Sequence, residues 1–135
     1  MIIDSSAIVA CILGEPAAEQ LGRTIGEATV CRIGAPTLVE TSLVLTHKVG
    51  PLGKALLAAF LQERDFDVVS FGAEHWRAAQ TAFLRFGKGR HPAALNFGDC
   101  LTYAVAWSSG EPLLCIGDDF TRTDLDLVEL SAQPD

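Results

Sequence analysis

Acidic side chains stand at positions of this 135-residue sequence where an ordinary surface carboxylate is not expected. Asp4 directly follows the apolar residues 1 to 3. Asp118 and Asp119 follow, after one glycine, an apolar run that ends at Ile116. In open α/β sheets, ligands bind in the crevice outside the carboxyl ends of the strands. If both runs are parallel strands, these acids are predicted to meet at one edge of the sheet.

Two further acids lie within helical patterns whose neighbouring positions are not charged. Glu40 has Leu43 and Val44 three and four residues later, so a helix places it on a largely apolar face. Asp99 has Thr102 three residues later and follows a turn-like segment. Both acids are early in their helices, and we predict that they join the same edge.

Each acid also has a purely structural explanation, which the sequence leaves open. Asp4 precedes two serines and an apolar helix, where a helix-capping side chain is common. Asp99 lies near a helix N-terminus, which favours negative charge. The pair Asp118-Asp119 is also compatible with an exposed turn.

A buried group of unpaired carboxylates must be protonated, paired with bases or neutralised by metal, because burying one unpaired charge costs several kcal/mol. Few basic residues are placed to pair with these acids. Hard oxygen ligands select Mg²⁺, or Mn²⁺, rather than zinc. Such a centre can activate water and stabilise the leaving oxygen in phosphodiester hydrolysis. The residue types thus predict a metal-dependent phosphodiesterase site.

The elements that must position these acids alternate between β-type runs and helical patterns. Alternation implies parallel strands joined by crossovers, with helices on both faces of the sheet. We predict a three-layer α/β/α sandwich with a central, mainly parallel sheet, forming one domain over 1–130 with a frayed tail over 131–135. The predicted strands are Met1 to Ile3, Thr29 to Ile33, Phe66 to Phe71, Leu113 to Ile116 and an edge strand from Asp126 to Leu130. The predicted helices are Ala7 to Leu13, a short one from Ala17, Pro36 to Gly50, Leu52 to Glu63, Glu74 to Phe86 and Phe97 to Trp107.

Composition excludes several classes of protein. Hydrophobic residues form 49% of the chain, which is enough to build a core and argues against disorder. The longest apolar run, Ala7 to Leu13, is too short for a membrane span of about 20 residues. An acid at the fourth position and no basic start are wrong for a signal peptide, so the cytoplasm is expected. The four cysteines contain no C-x-x-C pair and are expected to be buried, reduced thiols.

The net charge of −7 is uneven, with −6 carried from Glu111 onward and the first 110 residues nearly neutral. Acidic proteins are poor partners for nucleic acids, although a bound divalent metal can reverse this locally. The loop before Asp99 offers cations that could contact phosphate, unless it is an ordinary solvated loop. These residues are Arg85, Lys88, Arg90 and His91.

Other side chains have more ordinary interpretations. His47 and His75 are predicted to be surface or helix-packing residues, because no partner at metal-ligand spacing accompanies them. Trp76 and Trp107 are predicted to be core or interface residues rather than platforms for stacked bases.

Several segments in order resemble a known family, the PIN domain, and more narrowly the VapC toxins of bacterial toxin–antitoxin pairs. They are Met1-Ile2-Ile3-Asp4-Ser5-Ser6-Ala7, Val39-Glu40, Phe97-Gly98-Asp99-Cys100-Leu101 with Tyr103-Ala104, and Leu113 through Phe120 followed by Thr123-Asp124. Any one motif is unspecific, but the ordered set spans essentially the whole chain.

The resemblance implies a Mg²⁺-dependent endoribonuclease that cuts structured RNA, such as tRNA or rRNA. It also implies inhibition by a cognate VapB-type antitoxin, with a basic segment facing the acidic pocket, and a homodimer. The apolar helices from Leu43 to Leu61 could supply the dimer contact or could equally belong to the core. Asp4 and Asp99 would be the principal metal ligands, Glu40 would hold water or a second ion, and Asp119 would complete the set.

Three neighbouring positions carry secondary roles in this resemblance. Asp118 is an alternative to Asp119, because the usual family pattern has one acid immediately before the Phe. Asp124 is expected to brace the turn, and Ser6 either to steady the acids by hydrogen bonding or to cap the helix.

Two rival functions are weighed against the nuclease. A phospho-acceptor signalling domain has a similar fold but needs adjacent acids after the first strand and a late lysine, which this sequence lacks. A catalytically silent binding module keeps the fold without the chemistry, and the complete acid set argues against it.

Overall fold

A computed structural model describes residues 1–132 and shows a four-stranded sheet in which every pairing is parallel. Two strands lie at the centre and the other two at the edges, in the order β3-β2-β1-β4. The strands are β1 (Ile2–Ile3), β2 (Cys31–Gly34), β3 (Phe66–Val69) and β4 (Leu113–Leu114). This topology places the residues that follow β1 and β4 side by side at the carboxyl edge.

Within the described residues, six helices connect the strands and cover the sheet on both faces, which confirms the predicted three-layer arrangement. They are α1 (Ser5–Leu13), α2 (Ala18–Glu27), α3 (Ala35–Val49), α4 (Leu52–Gln62), α5 (Ala73–Phe86) and α6 (Phe97–Ser109). The family resemblance implied this fold, and the alternation of patterns had already favoured it.

The core is divided by the sheet into two apolar clusters, because successive strand residues point to opposite faces. Ile3 and Leu114 pack with α1, α2 and α4 on one face. Ile2 and Leu113 pack with α5 and α6 on the other face. The short central strands are therefore buried on both sides, as parallel strands usually are.

Local signals explain where the helices begin and end. Asp4 caps α1, which therefore starts at Ser5, two residues before the predicted Ala7. Gly14 ends this helix with φ of 65°, a left-handed conformation that glycine adopts without a steric cost. Asn96 caps α6 and forms a capping box with Asp99.

The predicted edge strand from Asp126 to Leu130 is wrong as a strand. Only Leu127 forms a bridge, to Leu113, and the chain then leaves the sheet. Ser131 instead donates hydrogen bonds to Thr24 and to the Glu27 carboxylate on α2. Hydrogen bonds to α2 thus take the place of the strand pairing that the alternating apolar and polar residues predicted.

The predicted frayed tail lies only partly within the described residues, because 133–135 fall outside them. The single domain over 1–130 stays a prediction. All four cysteine thiols are free, Cys31 and Cys100 buried, Cys11 and Cys115 partly exposed. Within 1–132, no helix is long and apolar enough to cross a membrane.

Candidate active site

Asp4 lies at the carboxyl end of β1, where its backbone is extended and its side chain is 5% exposed. One carboxylate oxygen accepts hydrogen bonds from the amide of Ser6, at 3.1 Å, and from the Ser6 hydroxyl, at 2.6 Å. The same hydroxyl accepts a hydrogen bond from the amide of Ile116 at 3.0 Å. Ser6 therefore ties Asp4 to the segment that follows β4, in addition to any capping role.

Glu40, on the second turn of α3, is held against two other elements. Its Oε1 accepts a 2.5 Å hydrogen bond from the hydroxyl of Ser5, at the start of α1. A Cβ atom on Gly98 would overlap Glu40 Oε2 and would lie 2.9 Å from the carboxyl carbon. The Glu40 carboxylate thus rests directly on the first turn of α6, beside Asp99.

Asp99 is the third residue of α6 and closes its capping box. The amide of Asn96 donates to Asp99 Oδ2 at 3.1 Å, and the amide of Asp99 donates to Asn96 Oδ1 at 2.9 Å. The capping and functional interpretations are therefore compatible for Asp99, as they are for Asp4. Both carboxylates lie at helix N-termini, whose partial positive charge stabilises an anion.

Contact between α3 and α6 keeps Glu40 and Asp99 together. The hydroxyls of Thr37 and Thr102, one turn from each acid, are 3.3 Å apart and both residues are buried. A Cβ atom at Gly34 would approach Val105 Cγ2 to 3.0 Å, so the two helices come close where α3 begins. These small and hydroxyl-bearing residues let α3 and α6 come close enough to bring Glu40 and Asp99 together.

Asp118 and Asp119 are both exposed in the turn after β4, while the following Phe120 is buried. The negative charge of Asp119 raises the pKa of Asp99 and of the Cys115 thiol. No such effect of Asp118 is present for either group. Of the two neighbours, Asp119 is thus the one that shares the electrostatic environment of Asp99.

Burial shifts Asp4 and Asp99 toward their neutral forms. Desolvation raises the pKa of Asp4, although the Ser6 hydrogen bonds oppose the shift. Desolvation also raises the pKa of Asp99 to about 6, against the hydrogen bond from Asn96. Three neighbouring charges reinforce the shift at Asp99, those of Asp119, Asp4 and Glu40. Asp99 is therefore close enough to each of the other three acids to be repelled by its charge.

Within residues 1–132, no cationic side chain relieves this repulsion, because none of the ion pairs there involves Asp4, Glu40, Asp99 or Asp119. An uncompensated group of carboxylates is a stable arrangement only with protons or an external cation.

The donor chemistry fits a hard divalent cation, which carboxylate oxygens prefer. As the side chains stand, however, no three His, Cys, Asp or Glu residues of the described chain are arranged to hold a metal ion. The site therefore fits a divalent cation in the type of its ligand atoms, in the approach of the acids to one another and in its negative charge. Any ion would be held by Asp4 and Asp99, with Glu40 and Asp119 beside them.

Of the four basic residues predicted to contact phosphate in the loop before Asp99, two form hydrogen bonds within the protein and two are exposed. Arg85 pairs with Asp124 at 3.2 Å, and His91 accepts a hydrogen bond from the amide of Ala93. Lys88 and Arg90 are exposed. Only the latter two remain as simple candidates for phosphate contact.

Two further expectations concern structural residues. Asp124 accepts a 2.6 Å hydrogen bond from the Tyr103 hydroxyl, so it braces the turn as expected. His75 is buried, and its Nδ1 accepts from the amide of Gly72 at the start of α5, whereas His47 is exposed. Both histidines thus have the packing or surface role that their isolation predicted.

Sequence reasoning missed two residues that touch the site. Ser5 was treated only as part of a motif, and Gly98 only as part of a turn, yet both contact the Glu40 carboxylate. A glycine directly before a candidate acid is the one signal that could have indicated close approach of another side chain.

Comparison with known proteins identifies the family of this chain. A family model described as the PIN domain matches residues 1–125. Ribonuclease VapC36 of Mycobacterium tuberculosis is 47% identical over 127 residues, which cover 93% of this chain and 91% of that protein. Ribonuclease VapC of Mycolicibacterium smegmatis is 39% identical over 125 residues, covering 93% and 97%.

Solved structures share the fold at low sequence identity. VapC20 of Mycobacterium tuberculosis, described as a sarcin-ricin loop cleaving toxin, matches with a TM-score of 0.76 and 18% identity, covering 94% of this chain and 97% of that one. VapBC2 of Rickettsia felis, bound to a DNA fragment from its promoter, matches with a TM-score of 0.75 and 17% identity over 96% and 98%.

Proposed function

This chain belongs to the PIN-domain family and, within it, to the VapC ribonucleases, and we propose that it is a Mg²⁺-dependent endoribonuclease that acts as the toxin of a toxin–antitoxin pair. The observation that carries the proposal is the convergence of four unpaired acids at one edge of the sheet. Those acids are Asp4, Glu40, Asp99 and Asp119. Their substrate would be structured RNA, such as tRNA or rRNA, in the cytoplasm.

Each residue has a defined task in this proposal. Asp4 and Asp99 would be the principal ligands of Mg²⁺, for which Mn²⁺ could substitute. Ser6 holds Asp4 in place, and Ser5 orients Glu40, which would hold water near the scissile bond. A bound divalent cation would supply Lewis-acid stabilisation of the phosphate and would make a nearby water more acidic, so that a carboxylate can take its proton as the water attacks.

The direct test is cleavage of RNA by the purified protein with and without metal. We expect cleavage with Mg²⁺ or Mn²⁺, none in EDTA, and none by Asp99→Asn with metal present. Full activity in EDTA would contradict the proposal. Sequencing the ends of the products would identify the RNA and the cleavage position.

A catalytically silent module would share the fold but not the toxicity. Expression of the wild-type chain should arrest bacterial growth, and Asp4→Ala should relieve the arrest. Wild-type expression without growth arrest would instead favour a function in binding alone.

The partners in this proposal are a VapB-type antitoxin and a second copy of the chain. Excess negative charge at the acid cluster would suit a basic antitoxin segment, with an arginine paired to a carboxylate. Replacing that arginine with alanine should weaken inhibition of cleavage.

The second copy would contact the outer face of α3 and α4, where Val39, Leu43 and Leu52 are exposed. Leu57 and Phe60, within the segment considered for this contact, are buried instead. Leu43→Asp should therefore convert a dimer to a monomer in sedimentation equilibrium, while Leu57 is unavailable to a partner.

A further inference from the structure

An apolar groove of about 350 Å³ runs between α5 and α6. Three aromatic side chains on its walls are largely exposed, Trp76 at 51%, Phe83 at 44% and Phe97 at 79%. The remaining lining residues are Phe71, Ala79, Gln80, Cys100 and Leu101. Exposed aromatic rings of this density are unusual on a surface in contact with water alone.

The groove and the acid cluster share the first turn of α6 but lie on different sides of it. Phe97 is the first residue of α6, two positions before Asp99, and Cys100 lies directly after that acid. Residues two positions apart on a helix do not face each other, so Phe97 and Asp99 point in different directions. Gly98, between them, touches the Glu40 carboxylate. An RNA segment of a few nucleotides in the groove can therefore continue around the N-terminus of α6 to the site proposed for cleavage.

Positive charge borders the same groove. The Arg77 guanidinium lies 5.4 Å from the centre of the Trp76 ring, and the Arg90 guanidinium lies 5.9 Å from that of Phe83. No Asp or Glu occurs between Glu74 and Asp99, although the whole chain has a net charge of −7. An anion that enters the groove thus meets cations in a protein that is otherwise acidic.

We propose that this groove binds unpaired bases of a single-stranded RNA segment next to the cleavage site, which deepens and rests on the proposed function. The bases stack on Trp76, Phe83 and Phe97, while Arg77 and Arg90 contact the backbone phosphates. Aromatic rings combined with cations are the usual means of holding single-stranded nucleic acid. A protein-binding surface does not require that acids be absent from the segment between Glu74 and Asp99, whereas a surface that binds phosphates does. The charge therefore favours RNA as the occupant.

The groove also offers a mechanism for bringing a polyanion to an acidic site. Phosphates near the carboxylates are repelled until metal is bound, whereas stacked bases are uncharged and bind without that penalty. The apolar surface and its cations would therefore supply affinity that the acid cluster lacks.

The test uses the intrinsic fluorescence of Trp76 and a short oligoadenylate in EDTA, so that binding is measured without cleavage. Trp107→Phe leaves Trp76 as the only tryptophan of the chain. We expect the oligonucleotide to quench this fluorescence. Trp76→Ala and Phe83→Ala, followed by fluorescence anisotropy of a labelled oligonucleotide, should each raise Kd about tenfold, in line with the energy of stacking one base.

Matched variants separate stacking from general effects on the surface. Trp107→Ala removes an exposed tryptophan of α6 that lies outside the groove, and should change Kd less than about twofold. Trp76→Leu keeps an apolar side chain but lacks the ring. It should bind as weakly as Trp76→Ala, even though it restores any packing role, which circular dichroism would confirm.

Equal Kd for Trp76→Ala, Phe83→Ala and Trp107→Ala would overturn the proposal. The same holds if Trp76→Ala dissociates a dimer in sedimentation equilibrium without weakening RNA binding, because the groove would then be a protein interface. Groove-dependent binding by a protein that never cleaves RNA with Mg²⁺ would support the groove and contradict the proposed function, so the two failures are distinguishable.

Discussion

The two ends of the central sheet carry carboxylates in opposite electrostatic settings. At the amino end, Glu111 accepts hydrogen bonds from the Met1 ammonium, at 3.1 Å, and from Arg32, at 2.8 Å. At the carboxyl end, Asp4 and Asp99 have hydrogen-bond donors but no cation among the described residues. The same kind of side chain is paired at one end and left unpaired at the other.

This difference is visible in the proton affinities. Burial alone would raise the pKa of Glu111, but the hydrogen bonds and charges of Arg32 and the N-terminus outweigh it and lower the pKa. Burial raises the pKa of Asp4 and Asp99 without such compensation. Glu111 thus stabilises the fold as an anion, whereas Asp4 and Asp99 reduce stability when ionised and remain available to an external cation.

The largest expected effect comes from removing one charge at the unpaired end. Asp4→Asn keeps a good N-cap for α1, because Asn and Asp cap helices about equally well. We expect RNA cleavage with Mg²⁺ to fall more than about 100-fold, beyond the usual cost of changing a residue that supports a metal ligand. Thermal unfolding without metal should be unchanged or should occur at a higher temperature.

The matched variant at the paired end is Glu111→Gln, which should have the opposite profile. Cleavage should stay within about twofold, while unfolding free energy falls by about 1 kcal/mol, or about 3 °C in Tm, because the ion pairs are partly exposed. Equal loss of cleavage in both variants would show that the two ends do not differ in function.

The comparison also shows which features the sequence could predict. The position of Asp4 followed from its place after an apolar run, because parallel strands end at a common edge. Pairing of Glu111 with Arg32 was not predicted, since it joins the ends of strands 79 residues apart. The contacts of Glu40 with Ser5 and Gly98 likewise connect three helices and have no local pattern.

Other differences between the sequence predictions and the structure also arise from contacts between residues far apart in the sequence. Segment 126–130 has a strand-like alternation, but hydrogen bonds of Ser131 to α2 direct the chain away from the sheet. Trp76 and Trp107 were expected in a core or interface, and more than half of each side chain is exposed, which excludes the core. Hydrophobic patterns identify faces of helices, but not which face a neighbouring element leaves uncovered.

Metal should stabilise the unpaired end specifically. Adding Mg²⁺ at about 100 times its dissociation constant should raise the unfolding free energy by about 2.7 kcal/mol in the wild type and in Glu111→Gln. Asp4→Asn and Asp99→Asn should respond much less. Equal stabilisation of all four proteins, measured by thermal unfolding with and without EDTA, would locate the ion elsewhere.

A smaller effect is expected where Glu40 meets α6. In Gly98→Ala the new Cβ overlaps Glu40 Oε2, and the flexible carboxylate must move away from Ser5. Cleavage should fall about tenfold or more, as for other residues that orient a functional group, with little loss of stability. Gly22→Ala is the control, since nothing lies within 4 Å of its Cβ position and its helix should gain stability without loss of cleavage.

The smallest expected effect is the pH dependence of stability in metal-free protein. The pKa of Asp99 is raised by burial to about 6 in the folded chain, above its ordinary value of 3.8. Between these values the folded state binds more protons than the unfolded state, so stability must fall as the pH rises from about 4 to about 7. Glu111 has the opposite effect on the pH dependence of stability because its pKa is lowered, and its contribution to stability is lost as the pH falls below about 4.5.

Denaturant unfolding in EDTA should therefore show that the wild type loses stability from pH 4 to 7. The slope of stability against pH should be shallower in Asp99→Asn and, over the same interval, unchanged in Glu111→Gln. A wild-type curve that rises over this interval would mean that the acids at the carboxyl end are compensated after all, and that the two ends of the sheet are electrostatically alike.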